Sequence, residues 1–185
     1  NLYDPLRYFL QLEGKKIRPI LTLLSGELFG GQKENVKHAA LAVEIFHNFT
    51  LIHDDIMDKA PLRRGQPTVH HKWDDNIAIL SGDVMLVKAY QQLSKTNSDV
   101  LPELIELFNT TAIEVCEGQQ MDMDFEKRSS VSQGEYINMI RLKTSVLLGC
   151  ALKMGGIICK TSDENCKHIY DFGVNVGIAF QIQDD

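Results

Sequence analysis

Between Asn35 and Asp58 the chain carries a long helical pattern rich in Ala, Leu and Val. Strand signals are nearly absent elsewhere, and helical ones recur. A helix longer than the usual three turns must bury its apolar stripe against other helices. This requirement narrows the fold to an all-α bundle. Pro19 to Phe29 reads as helix and stops at Gly30-Gly31. Lys59 to Asp75 reads as a polar loop containing Pro61, Gly65 and Pro67. Ala78 to Leu93 is helical, and so is Pro102 to Phe125, with proline in its first turn. Ser132 and Glu135 have capping-box spacing. Thr161 and Glu164 repeat it before a last helix that runs to Asp185. The expectation is about seven or eight helices in a single domain, residues 1–185.

Composition excludes several classes. The formal net charge of -6 argues against a nucleic-acid surface, which needs cations. Cys116, Cys150, Cys159 and Cys166 form no C-x-x-C, so thiols in a reducing cytosol are expected rather than zinc or disulfides. The most apolar segment, "VLLGCALKMGGIICK", is interrupted by Lys153 and falls short of the roughly 20 residues of a membrane span. The N-terminus has no basic region followed by an apolar core, as a signal peptide would. The chain starts without Met and stops within a helical pattern, so both ends read as truncated.

The long helix closes on "LIHDDIMD". Asp54 and Asp58 are four apart and share a face; Asp55 and Asp58 are three apart. Like charges at this spacing repel, and carboxylates at a helix C-terminus oppose the macrodipole. A bound cation would relieve both, and Mg²⁺ commonly takes one or two carboxylates plus substrate phosphate oxygens. The alternative is a solvated acidic helix end. The apolar "FTLI" before the cluster argues for burial instead. His47 lies two turns before Asp54, and His53 adjoins it; either could simply pack.

Cations flank this acid. "EGKKIRP" holds Lys15 and Arg18 three apart, with Lys16 between, and "LRRG" adds Arg63 and Arg64. Each alone reads as a solvated charge. Together with the aspartates they suit two phosphorylated groups, one held through metal and one by cations directly.

Further segments complete an ordered set: "LSGDVML" with Asp83, "EGQQMDM" with Gln119 and Asp122, "RLKTSVL" with Lys143 and Thr144, and "FQIQDD" with Gln181, Asp184 and Asp185. In this order, with "GKKIRP" and "HNFTLIHDDIMDKAPLRRGQPTVH", they resemble the trans-prenyltransferases. This polyprenyl synthetase family makes linear isoprenyl diphosphates. The resemblance covers essentially the whole chain. Two departures stand out. Glu13 takes the place of a glycine, and the second D-D-x-x-D motif is cut after Asp185.

The resemblance implies an isoprenoid-synthase-type helical bundle around a deep central cavity, with the family's C-terminal helices missing. It implies a Mg²⁺-dependent enzyme that joins an allylic diphosphate (dimethylallyl, geranyl or farnesyl) to isopentenyl diphosphate and releases pyrophosphate. Asp54, Asp58 and Asp184 would hold Mg²⁺, with Asp55 and Asp185 in support. Arg63 and Lys143 would bind the allylic diphosphate. Lys15, Arg18, His47 and Arg64 would bind isopentenyl diphosphate. Thr144, Gln181 and the Lys143 carbonyl would face the reacting carbons. Phe49 and Thr50 would set product length, or Phe46 one turn further up. An aromatic at Phe49 resembles synthases of C15 to C20 products, although an ideal helical wheel puts Phe49 well away from the Asp54 face. The family also implies a cytoplasmic homodimer. Three rival readings are an HD-type metal phosphohydrolase using His53-Asp54, a non-catalytic modifying subunit, and a terpene cyclase. Gly173-x-x-x-Gly177 and "GCALKMGG" read as close helix packing, and Asp83 and Asp122 could be structural polar partners.

Overall fold

The computed structural model describes residues 1–184, and of Asp184 its backbone alone. In chain order the elements are α1 (Asp4–Gln11), α2 (Ile17–Leu28), α3 (Lys33–Met57), β1 (Leu62–Arg63), β2 (Gln66–Pro67), α4 (Val69–Lys72), α5 (Asp75–Leu93), α6 (Leu101–Phe125), α7 (Gln133–Ile140), a π-helical turn (Arg141–Ser145), α8 (Val146–Ile158) and α9 (Asp163–Asp184). The all-α expectation holds, and the long helix is α3. It packs on α5 and α2, while α8 packs on α2, α6 and α9.

Helix α8 is buried on nearly every side, from Val146 to Leu152 and again from Met154 to Ile157. Its apolar run is therefore a core helix, and among the described residues no helix is long and apolar enough to cross a membrane. The main core joins α3, α6 and α8 through Val43, Phe46, Leu104, Phe108, Leu147 and Met154. A second cluster gathers Phe9, Ile52, Val69 and Met85 beneath α1 and α4. The glycine stripes do pack closely, as expected. A Cβ built on Gly173 would lie 2.8 Å from Gly149 Cα, and one on Gly177 would lie 2.7 Å from Ser145 Cα. The backbones of α9 and α8 touch where larger residues would hold them apart.

Several boundaries differ from expectation. The 59–75 loop contains a hairpin and the short α4. Leu62 pairs with Pro67 and Arg63 with Gln66. The connecting residues Arg64 (φ 55) and Gly65 (φ 75) are both left-handed, as a type I′ two-residue turn requires. Strands of two residues carry no alternation to read. Helix α5 starts at Asp75, before Ala78, because the Asp74 carboxylate accepts from the Ile77 N–H at 2.8 Å. Helix α9 is capped one residue later than Thr161 suggests: the Asn165 N–H donates to Ser162 Oγ at 3.2 Å. The Ser132–Glu135 capping box is present.

Candidate active site

The acidic turn is held by the way α3 ends. Lys59 adopts a left-handed conformation (φ 51), the Ala60 N–H donates to the Asp55 carbonyl, and the Lys59 N–H donates to the Ile56 carbonyl. This is a Schellman stop, which satisfies the last carbonyls while the carboxylates stay in place. Asp54 and Asp58 then line one cavity of about 230 Å³ together with Arg18, His47, Lys143 and Thr144. Burial pushes the Asp54 carboxyl up to about 6 against the pull of Lys143, with Asp58 adding to the rise.

Asp55 turns away from that cavity. It is buried, and its Oδ1 accepts from Arg63 Nε at 2.8 Å and lies 2.7 Å from Arg63 Nη2. Its Oδ2 has no hydrogen-bond partner among the described residues. Burial raises the Asp55 pKa and the Arg63 bond opposes the rise. Arg63 thus reaches the cavity wall already anchored, with Asp55 as its tether. Among the described residues no three carboxylate, imidazole or thiol groups converge as a ready-made metal cage.

Lys143 and Thr144 project from the π-helical turn. Such turns insert a residue into a helix and re-aim its side chains. Ser145 Oγ donates to the Ile140 carbonyl five residues back, at 3.2 Å. Gly118 on α6 makes the turn possible, since a Cβ there would lie 2.2 Å from the Lys143 amide nitrogen. Lys143 Nζ donates to Asp122 Oδ2 at 2.5 Å. Asp122 is therefore a partner of a site lysine as well as a structural polar residue. Thr144 Oγ1 lies 3.5 Å from Gln181 Oε1, so the two residues meet where the π-helical turn packs on α9.

The cationic segments meet in a neighbouring cavity of about 520 Å³, lined by Lys15, Arg18, His47, Arg63 and Arg64 among others. Arg18 Nη1 lies 3.1 Å from His47 Nε2. Burial lowers the Arg18 pKa to about 10, which leaves it charged at neutral pH. Burial, then the charge of Arg18, depresses the His47 pKa to about 2. Arg64 lies over Gly14, where a Cβ would come within 2.8 Å of its guanidinium carbon. A larger residue at Gly14 would therefore displace the Arg64 guanidinium from this position. Lys16 is diverted: its Nζ donates to Glu44 at 2.8 Å, and Asn48 Nδ2 donates to the same carboxylate oxygen at 2.9 Å. Glu44 escaped the sequence reading because nothing at its position in α3 links it to a lysine in another helix.

A third cavity, about 200 Å³, runs from Asp54 along α3 past Thr50, Phe49 and His53, with Val115, Gln119 and Met123 of α6 opposite. Phe49 thus shares a cavity with Asp54, which corrects the ideal-wheel expectation. Phe46 is not in that wall. It is buried behind Phe49, with ring centroids 5.5 Å apart, and packs on Phe108 at 5.1 Å. The metal role expected of Asp184, and the support expected of Asp185, lie outside the described residues. The phosphohydrolase reading gains no support: among the described residues no three metal-ligating side chains converge around His53 and Asp54, and His53 Nε2 is engaged by the Ile79 carbonyl at 3.2 Å.

A model of the polyprenyl synthetase family matches residues 1–185. The chain is 44% identical over 187 residues to a geranylgeranyl diphosphate synthase of Methanosarcina mazei, covering 100% of this chain and 58% of the relative. It is 46% identical over 176 residues to the geranylgeranyl diphosphate synthase of Saccharolobus solfataricus, covering 93% and 53%. The solved geranylgeranyl pyrophosphate synthetase of Geoglobus acetivorans superposes with a TM-score of 0.97 at 40% identity, covering 100% of this chain and 61% of that one. The chain therefore spans a little over half the length of these relatives. Because the family model matches residues 1–185 and a relative is 44% identical over the whole chain, the chain belongs to the polyprenyl synthetase family.

Proposed function

We propose that the protein containing this chain condenses an allylic diphosphate with isopentenyl diphosphate and releases pyrophosphate. One observation carries the reading: Arg18 and His47, Asp54 and Asp58, and Lys143 and Thr144 border a single cavity. A terpene cyclase has no use for the second, metal-free anion cradle, and a modifying subunit has no use for an intact acidic turn.

The acidic turn suits a hard divalent cation. Asp54 and Asp58 share a face, and the raised pKa of Asp54 marks a carboxylate that lacks compensation. Mg²⁺ held by these two, and by Asp184 from α9, would neutralise charge on the allylic diphosphate. Lys143 and Arg63 would donate to that diphosphate as its C1–O bond breaks. The Lys143 carbonyl and the polar atoms of Thr144 and Gln181 would stand as fixed dipoles toward the allylic cation. Lys15, Arg18, His47 and Arg64 would hold the second diphosphate so that its double bond meets the cation. The lost proton would go to the released pyrophosphate. A dry cavity is required, because water quenches the cation.

The tail would lie in the cavity beneath Asp54, where Phe49 narrows the path. This suits products of C15 to C20, and the relatives' names support the longer end of that range. The test is incubation of the full-length polypeptide with isopentenyl diphosphate, each allylic diphosphate in turn and Mg²⁺, followed by chromatography. Prenyl diphosphates of C15 to C20 are expected, and only when the metal is present. Absence of any coupled product with every allylic substrate overturns the proposal. Thr144→Val at full turnover would remove its hydroxyl from the mechanism.

A further inference from the structure

We infer that His53 is a specificity-determining residue that limits the length of the bound tail, and that Gly82 sets where its ring stands. The inference rests on the prenyl-transfer reading above and deepens it. His53 lies one turn after Phe49 on α3, and both line the cavity below Asp54. Their rings meet edge to face, with centroids 4.7 Å apart. On the far side the imidazole is tied to α5. A carbonyl only accepts, so Nε2–H donates to the Ile79 carbonyl at 3.2 Å. Asp83 Oδ1 stands 3.9 Å from the same nitrogen.

Gly82 leaves room for this ring. A Cβ at that position would come within 2.3 Å of His53 Nε2. An alanine there must drive the imidazole off α5, breaking the bond to Ile79 and pressing the ring toward Phe49. Phe49 cannot retreat inward. It leans on Phe46, which is locked against Phe108, itself packed on Tyr90 at 5.1 Å. Phe46 and Phe108 are fully buried in the main core, and such cores do not deform continuously. With α5 closed to it and Phe49 held from behind, the displaced ring shifts toward the cavity that His53 already lines, where its side chain, 25% exposed, is not confined by packing. That cavity holds about 200 Å³, small against the roughly 300–1,000 Å³ of drug-sized ligand sites. One imidazole is therefore a large share of the room for a hydrocarbon tail.

The test uses the full-length polypeptide and unreactive allylic thiodiphosphates of C5, C10, C15 and C20, with affinities from calorimetry and product lengths read alongside. His53→Ala is expected to raise the C20-to-C10 affinity ratio about tenfold and to lengthen products. Gly82→Ala is expected to lower that ratio about tenfold and to shorten them. In the double variant the Gly82→Ala effect is expected to vanish, because no ring is left to push. His53→Phe, which keeps the bulk and loses the bond, is expected to stay within about threefold of wild type. Both measures are ratios within one preparation, so a loss of folded protein does not mimic them. The inference is overturned if either single alanine variant leaves the affinity ratio within twofold of wild type, or if Gly82→Ala shortens tails equally without His53. If wild type binds the tail series but forms no coupled product, the prenyl-transfer reading fails while the affinity ratios still decide the role of His53.

Discussion

Arg18 Nη1 lies 3.1 Å from His47 Nε2, and a guanidinium can only donate. His47 must therefore accept at Nε2, so its ring is neutral and carries its proton on Nδ1. A neutral imidazole beside a buried arginine can offer one N–H to an anion without adding charge. It also makes the fold sensitive to acid. Below 6.5 an unfolded chain takes up a proton that the folded protein refuses down to about 2. Stability at this site falls as pH drops from 6.5, by at most about 1.4 kcal/mol per pH unit. His47→Gln keeps both an acceptor and a donor but cannot titrate. Its denaturant midpoint, compared with wild type between pH 6.5 and 4.5, is expected to show a flatter slope. Parallel slopes would mean that His47 is protonated in the fold.

Asp54 titrates in the opposite sense. Its unfolded value is 3.8 and burial raises the folded value to about 6. The folded protein holds the proton longer, so stability is lost as pH rises from 3.8 through 6. Metal-free Asp54→Asn should be more stable than wild type at pH 7.5 by about 1–2 kcal/mol, allowing for partial exposure. Saturating Mg²⁺ should raise the wild-type melting temperature, by mass action on a site that only the fold presents, and should leave Asp54→Asn nearly unmoved. Turnover of that variant should fall at least 100-fold. An Asn variant that is no more stable than wild type without metal would show that Asp54 is compensated by the protein itself.

The helices were legible because their apolar stripes recur over many turns, and Gly30 marks the end of α2 as its left-handed φ of 78 requires. Asp54 and Asp58 fall on one face by spacing alone. Other features depend on distant partners. Asp55 is turned out of the cavity by Arg63, eight residues on and in a hairpin whose strands are too short to leave a pattern. Lys16 is withdrawn by Glu44, 28 residues away. A π-helical turn adds a single residue to a helical repeat, and that barely disturbs the periodicity around Lys143. An ideal wheel puts Phe49 away from Asp54 although both line one cavity, because a wheel records Cα directions and not how far a ring extends.

The contact of Gly118 with Lys143 ties a backbone approach to a site residue. Gly118→Ala must push the π-helical turn away from α6, since its Cβ would come within 2.2 Å of the Lys143 nitrogen. Overpacking of this kind costs about 1–3 kcal/mol. The larger effect is expected on chemistry, because Lys143 and Thr144 move together, and a displacement of about 1 Å can cost on the order of 100-fold. Steady-state kinetics alongside thermal melts would check this. A variant that melts lower yet turns over normally would mean that the turn does not position Lys143.

Phe49 and Phe46 are neighbours whose rings pack tilted by 46°, with different expected roles. Phe49 borders the cavity below Asp54, whereas Phe46 is buried behind it against Phe108. Phe49→Ala removes a ring from the cavity wall, so longer products are expected at modest cost in stability. Phe46→Ala leaves a hole in the core, and truncations of this kind cost about 3–5 kcal/mol. Its first effect should be on the melting temperature, with product length following only if Phe49 sinks into the space. Chromatography of products beside thermal melts separates the two. Unchanged products from Phe49→Ala would move the length-setting role to another residue, whereas longer products from Phe46→Ala with an unchanged melting temperature would place Phe46 in the wall after all.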